Sequence, residues 1–151
     1  MSGEEKEYLV KVTRLGGYKF EIDFGLSNAD KIIVDEDPPL GNNEGGDPSR
    51  LLAASMAHCT MSSLLFCMQK SRAEVDEMNG TARIKFGRDE RKRLRIVGME
   101  LMIVVKVSQS DRAKLQRCIP LFQDFCTVTK SVERGIPVTT EIKFMDEEDT
   151  R

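Results

Sequence analysis

The longest uncharged stretch of the chain lies between Arg50 and Lys70, and small or apolar side chains fall on every side of the helix it would form. Its start is specified by two adjacent residues. Asp47 can accept backbone N–H groups as N-cap, and Pro48 at the first helical position brings a suitable fixed φ and no donor. A helix with no polar face must be covered all round. A chain of 151 residues seldom encloses one helix alone, so this helix is expected at the centre of an oligomer. A membrane span of roughly 20 apolar residues is the rival reading. Ser55, His58, Thr60, Ser62, Ser63 and Gln69 interrupt the run, and aromatic anchors and basic flanks are missing, so no membrane partner is expected.

Before this helix the pattern has the period of strands. Residues 8–14 and 18–24 flank Gly16-Gly17, and Tyr18, Phe20, Ile22 and Phe24 alternate with Lys19, Glu21 and Asp23, which predicts a hairpin with one wet face. Residues 31–35 read as a third short strand, followed by a Pro- and Gly-rich loop over 37–46. After the helix, Ala82, Ile84, Phe86, Leu94 and Ile96 alternate with polar neighbours and 99–107 is an extended apolar run, giving two long strands that meet at a turn. Ser110-Asp111 can cap a second helix with Leu115, Cys118, Ile119, Phe122 and Phe125 at helical spacing, which Pro120 should kink or divide. A short helical segment over 127–132 stops at Gly135, and Val138, Thr140, Ile142 and Phe144 predict a final strand. Three strands, helix, two strands, helix, strand make one α+β domain over residues 1–151.

A formal net charge of −2 and a pI near 5.6 give no global attraction to nucleic acid or to acidic membranes. The basic run at 88–95 is of mixed sign and sits at a predicted hairpin tip, where a solvated turn is the expected reading; no nucleic-acid partner follows from it. The acidic N-terminus lacks the basic and apolar regions of a secretory signal, so the expected location is cytoplasmic, with cysteines mostly reduced at rest.

The four cysteines are Cys59, Cys67, Cys118 and Cys126. Their spacing is not that of a zinc site and the chain has a single histidine, so no metal and no cofactor is expected. Cys118 lies on the apolar stripe of the second helix and Cys67 among Leu64, Leu65, Phe66 and Met68; both read as small buried hydrophobes that stay reduced. Cys59 has small or polar neighbours and Cys126 stands near a helix start, where backbone N–H groups favour a thiolate. Successive residues on a helix point about 100° apart, so His58 does not face Cys59 as a general base would.

Val34-Asp35-Glu36-Asp37-Pro38-Pro39, the Gly-rich loop ending in Asp47-Pro48, the start Leu51-Leu52-Ala53-Ala54 and the position of Cys59 after Pro48 resemble the OsmC/Ohr family. So does Phe125-Cys126-Thr127-Val128-Thr129-Lys130-Ser131-Val132, similar to the family's second-cysteine segment. The resemblance implies an OsmC-like fold, with strands wrapping a long buried central helix in an intertwined homodimer. It also implies a two-cysteine, thiol-dependent peroxidase acting on organic or hydrogen peroxides, with Cys59 as peroxidatic thiolate, Cys126 as resolving thiol and an external dithiol as reductant. Family peroxidases typically carry a Glu one residue after the Pro of this motif, and related branches two residues after it, whereas this chain has Ser49 and Arg50. The strand-borne Arg of the family falls on Arg14. Arg50 is roughly 13.5 Å along the helix from Cys59 and on the opposite face, so only the Arg50 of a second copy packed antiparallel could act on that thiol. The reading from a different class is a non-catalytic dimer that binds a small apolar ligand or senses oxidants.

Overall fold

In the computed structural model, which describes residues 5–136 and 138–143, the chain forms two separate antiparallel sheets and three helices. The first sheet has the order β1 (Lys11–Gly16), β2 (Lys19–Asp23), β3 (Ile32–Val34). Gly17 turns the β1–β2 hairpin at φ 53°, a conformation that a side chain would strain. The loop from β3 to the long helix is built on Asp35, a buried carboxylate that accepts the backbone N–H groups of Glu36 and Asn42 at 2.9 Å and of Glu44 at 3.3 Å. These bonds, that of Asn42 foremost, hold the Asp35 carboxyl below its usual range.

The long helix α1 (Pro48–Lys70) starts as its sequence dictates, with Asp47 accepting the Arg50 N–H at 3.0 Å and Pro48 in its first turn. It lies on the second sheet, a ribbon of two 14-residue strands, β4 (Val75–Arg88) and β5 (Leu94–Val107). Met78 stands opposite Val105 and Ala82 opposite Leu101; these residues, with Ile103, are half-buried on the helix side, while Met102 and Val104 face outward. The Met61 side chain of α1 lies against Gly80, where a Cβ would stand 2.5 Å from its Sδ and displace the thioether. The hairpin tip is a solvated turn of mixed sign, with Arg95 paired to Asp89 at 3.0 Å.

The helix is not covered on every side by its own chain. Ala53, Thr60, Leu64 and Met68 are buried, while Ala54, Ser55, His58, Ser62, Leu65, Phe66 and Gln69 form one continuous exposed face. By length and composition α1 would also pass as a membrane span, but its other face is packed into the fold.

Three expectations from the sequence are corrected. Ser110-Asp111 does not cap a helix: both lie in a 3₁₀ turn (Gln109–Asp111), and the buried Asp111 side chain takes the Glu74 N–H at 3.1 Å and Lys114 at 2.7 Å, tying the start of β4 to α2 (Arg112–Cys118). The final strand does not form over 138–143, where Val138 is 87% and Ile142 85% exposed; Phe144 lies outside the described residues. Alternation alone makes no strand, because a ladder needs an open edge beside it. Cys67 and Cys118 are not free thiols but a disulfide, since the last turns of α1 and α2 bring their Cα atoms to 5.9 Å, within bonding range. The pair does pack in the core as expected, with Leu64, Met68, Ala73 and Phe122. Pro120 divides the second helical region as predicted: α2 stops at Cys118, and a 3₁₀ turn (Phe122–Phe125) leads to α3 (Thr127–Arg134), which ends at Gly135 with φ 75°.

Candidate functional site

The free cysteines, Cys59 in the middle of α1 and Cys126 at the N-cap of α3, are brought together by the return of the C-terminal segment across α1. The local sequence explains the placement of Cys126. Phe122 is pulled into the core, the short turn after it closes with the Cys126 N–H on the Gln123 carbonyl at 3.2 Å, and Cys126 opens α3 by accepting the Lys130 N–H at 3.1 Å. The first turn of α3 then aims the Val128 N–H at Cys59 Sγ, 3.4 Å away. An unpaired N–H at a helix start carries partial positive charge, so it favours anionic sulfur.

Cys126 is buried and Cys59 half-buried, and the two thiols share one small cluster. Thr60 and Thr129 complete the cluster. Thr60 Oγ1 lies 3.6 Å from Cys126 Sγ and 3.0 Å from Thr129 Oγ1, so a hydroxyl pair stands beside this sulfur. Burial pushes both thiols up. At Cys126 the hydrogen bonds from Cys59, Thr129 and Thr60 outweigh burial and bring the thiol down to about 7, while at Cys59 burial and the proton shared with Cys126 leave it raised. The two thiols titrate together, so the proton lost near neutral pH belongs to the pair, with the hydrogen bonds around Cys126 and the Val128 N–H at Cys59 both favouring the anion.

Labelling should show this. Alkylation of the pair by iodoacetamide should reach half its maximal rate near pH 7, and Thr60→Val should move that midpoint upward by removing a hydrogen bond to the Cys126 sulfur. Rates measured from pH 5 to 10, with peptide mapping of the label, check both statements.

Beside the pair is a cavity of about 690 Å³ whose wall includes Met56, Ala57, Leu101, Phe122 and Val132, with Cys126 and Thr60 in its lining. Lys130 and Glu133 also border it and pair with each other at 3.1 Å.

Neither arginine singled out in the sequence reaches the thiols within the chain. Arg50 is held by Asp37 at 2.9 Å and Asp47 at 3.1 Å, which fastens the loop to the start of α1, and Ser49 Oγ donates to the same Asp47 at 2.5 Å. Arg14, on β1, donates to the Gly17 carbonyl at 2.9 Å in the other sheet. His58 belongs to the exposed face of α1 and turns away from the pair. Sequence reasoning missed Thr60 and Thr129, although hydroxyls one position from Cys59 and three from Cys126 are visible in the chain. It also missed the Cys67–Cys118 bond, for which one signal existed. Eight residues forward along α1, from Cys59 to Cys67, match eight residues back along the C-terminal segment, from Cys126 to Cys118.

The family model described as OsmC-like protein matches residues 41–141, which include both thiols and the disulfide. No curated protein matches the sequence. Among solved structures, an OsmC-like protein of unknown function from Vibrio cholerae is similar over 85% of this chain and 95% of its own, with 19% identity and a TM-score of 0.69. A putative osmotic stress induced and detoxification response protein from Psychrobacter arcticus shares 20% identity over 87% of this chain and 91% of its own, with a TM-score of 0.69. An organic hydroperoxide resistance protein OsmC from Legionella pneumophila is 15% identical over 84% of this chain and 89% of its own, at a TM-score of 0.61.

Proposed function

The chain belongs to the OsmC-like family, and from that premise we propose that it is a thiol-dependent peroxidase that reduces organic or hydrogen peroxides through Cys59 and Cys126. The observation that carries this reading is the meeting of these two free thiols around the Val128 N–H and the Thr60 hydroxyl. The chemistry balances. A thiolate attacks the O–O bond, becoming a sulfenic acid and releasing an alkoxide that takes up a proton, or water when the substrate is hydrogen peroxide. The second thiol displaces water from the sulfenic sulfur to give the Cys59–Cys126 disulfide, and an external dithiol reduces it by thiol–disulfide exchange. The cavity beside the pair suits the organic group of a hydroperoxide.

The working unit in this reading is a homodimer, and its location the cytoplasm. The uncovered face of α1 is uncharged from Ala54 to Gln69 and invites a second copy of itself. Arg50 is committed to two carboxylates, so its role is to fasten the loop. Arg14 sits on a sheet that makes no extensive contact with the α1 layer of its own chain, and is the candidate to reach the thiols of the second copy. A non-catalytic ligand-binding or oxidant-sensing dimer is the alternative, and the apolar cavity is the observation that favours it.

Stopped-flow oxidation by cumene hydroperoxide decides between them. Wild type should react at least about 100-fold faster than a free thiol of matched pKa, because fixed donors around the sulfur act in the transition state. Cys59→Ser and Cys126→Ser should each abolish turnover with dithiothreitol. A wild-type rate no greater than that of the free thiol overturns the enzymatic reading and leaves the binding dimer.

A further inference from the structure

The two cysteine pairs are rungs of one antiparallel ladder between α1 and the C-terminal segment, separated by eight residues on each side and by about 12 Å along the helix. The connector between the rungs is otherwise thinly held. Among its large side chains only Phe122 enters the core, while Ile119, Leu121 and Phe125 are exposed, Phe125 to 68%. Its backbone hydrogen bonds are local, from the Leu121 N–H to Cys118 and from the Cys126 N–H to Gln123, and α3 beyond it buries none of its side chains fully. Cys118 is the covalent point at which this segment is fixed to α1.

We infer that the Cys67–Cys118 disulfide is a positioning clamp for the Cys59–Cys126 couple, holding the second thiol at high effective concentration beside the first. The inference rests on the redox reading of that couple but not on which oxidant serves it. The two rungs differ in access. Cys118 and Cys126 are equally buried, at 1% exposure, and the rungs differ in that Cys126 lines the open cavity whereas Cys118 is enclosed by Met68, Leu64 and Phe122. Exchange requires a thiolate to reach a sulfur of the disulfide, so a soluble dithiol reduces the outer rung and spares the inner one. One disulfide then cycles while the other holds its partner segment in place.

The test measures the couple directly, without peroxide. Wild type and the double variant Cys67→Ala/Cys118→Ala are equilibrated with reduced and oxidised glutathione. The Cys59–Cys126 dithiol passes its electrons to oxidised glutathione through a mixed disulfide, yielding the protein disulfide and two glutathione thiols. Peptide mapping should find Cys67–Cys118 intact throughout in wild type. The effective concentration of the couple should fall about tenfold or more in the double variant, since a loosened segment samples positions away from Cys59. Cys67→Ala/Cys118→Val, which restores volume at the more buried position, serves if the first variant does not fold. Met78→Ala, which weakens the same core without cutting the clamp, should leave the effective concentration unchanged. An unchanged value in the clamp variants overturns the inference, as does a wild type whose Cys67 and Cys118 are alkylated without reductant. A couple that equilibrates normally with glutathione but ignores hydroperoxides would instead overturn the peroxidase reading alone.

Discussion

Phe66→Glu together with Leu65→Glu should convert the proposed dimer into a monomer, weakening association at least about 100-fold, as expected when two apolar anchors of an interface are replaced by charges. Both side chains lie on the uncovered face of α1, with Phe66 53% exposed in the single chain. Other exposed apolar side chains are available to the same assembly, Met102 and Val104 on the outer face of β5 and Val12 and Tyr18 on the β1–β2 hairpin. Sedimentation velocity at low micromolar concentration is the measurement. Wild type should sediment as a dimer and the double variant as a monomer with unchanged far-ultraviolet circular dichroism. A wild-type monomer would remove both the dimer and the route by which Arg14 reaches a partner's thiols.

The sequence disclosed most about the elements whose signals are local. Asp47 and Pro48 specify the start of α1 through two adjacent residues, Gly16-Gly17 marks a hairpin, and Pro120 divides a helix by removing a donor; each acts within a few positions and each break falls where the pattern put it, although β1 runs over Lys11–Gly16 and not over 8–14. Long-range pairing was less legible. Cys118 and Cys67 each satisfy the requirements of burial on their own, and composition cannot distinguish two buried thiols from two bonded sulfurs until the helices are docked. Asp111 was misread for a related reason: an Asp before a helix normally caps it, but here a backbone N–H at the start of β4 competed for the carboxylate and won. The strand expected over 138–144 fails over its described part because alternation reports a face to be covered and not the neighbour that covers it. At the site, the resemblance put Cys59 and Cys126 in one cycle, but the proton distribution between them depends on Thr60, Thr129 and the Val128 N–H, a three-dimensional arrangement that no linear motif encodes.

The largest effect on stability should come from the buried rung. Cys67 and Cys118 are 51 positions apart, so the bond closes a long loop that contains the whole β4–β5 ribbon. In the chain-entropy view a loop of that length stabilises the folded state by about 4 kcal/mol, roughly a thousandfold in the unfolding equilibrium. Cys67→Ala/Cys118→Ala should therefore lower the unfolding midpoint by roughly 10 °C for a domain of this size. The disulfide is isolated as the cause by comparing unfolding of wild type in urea with and without prior reduction of the denatured chain, because reduction adds no cavity where the alanines do. Both routes should lose a similar amount, with the alanine variant slightly worse for the emptied volume beside Met68. Cys59→Ser/Cys126→Ser, by contrast, should change the urea midpoint little in the reduced resting state, since those sulfurs are free there and close no loop. If reduction of Cys67–Cys118 leaves the midpoint where it was, the pair contributes no more than two packed thiols would, and the core of Leu64, Met68, Ala73 and Phe122 holds α2 against α1 without it.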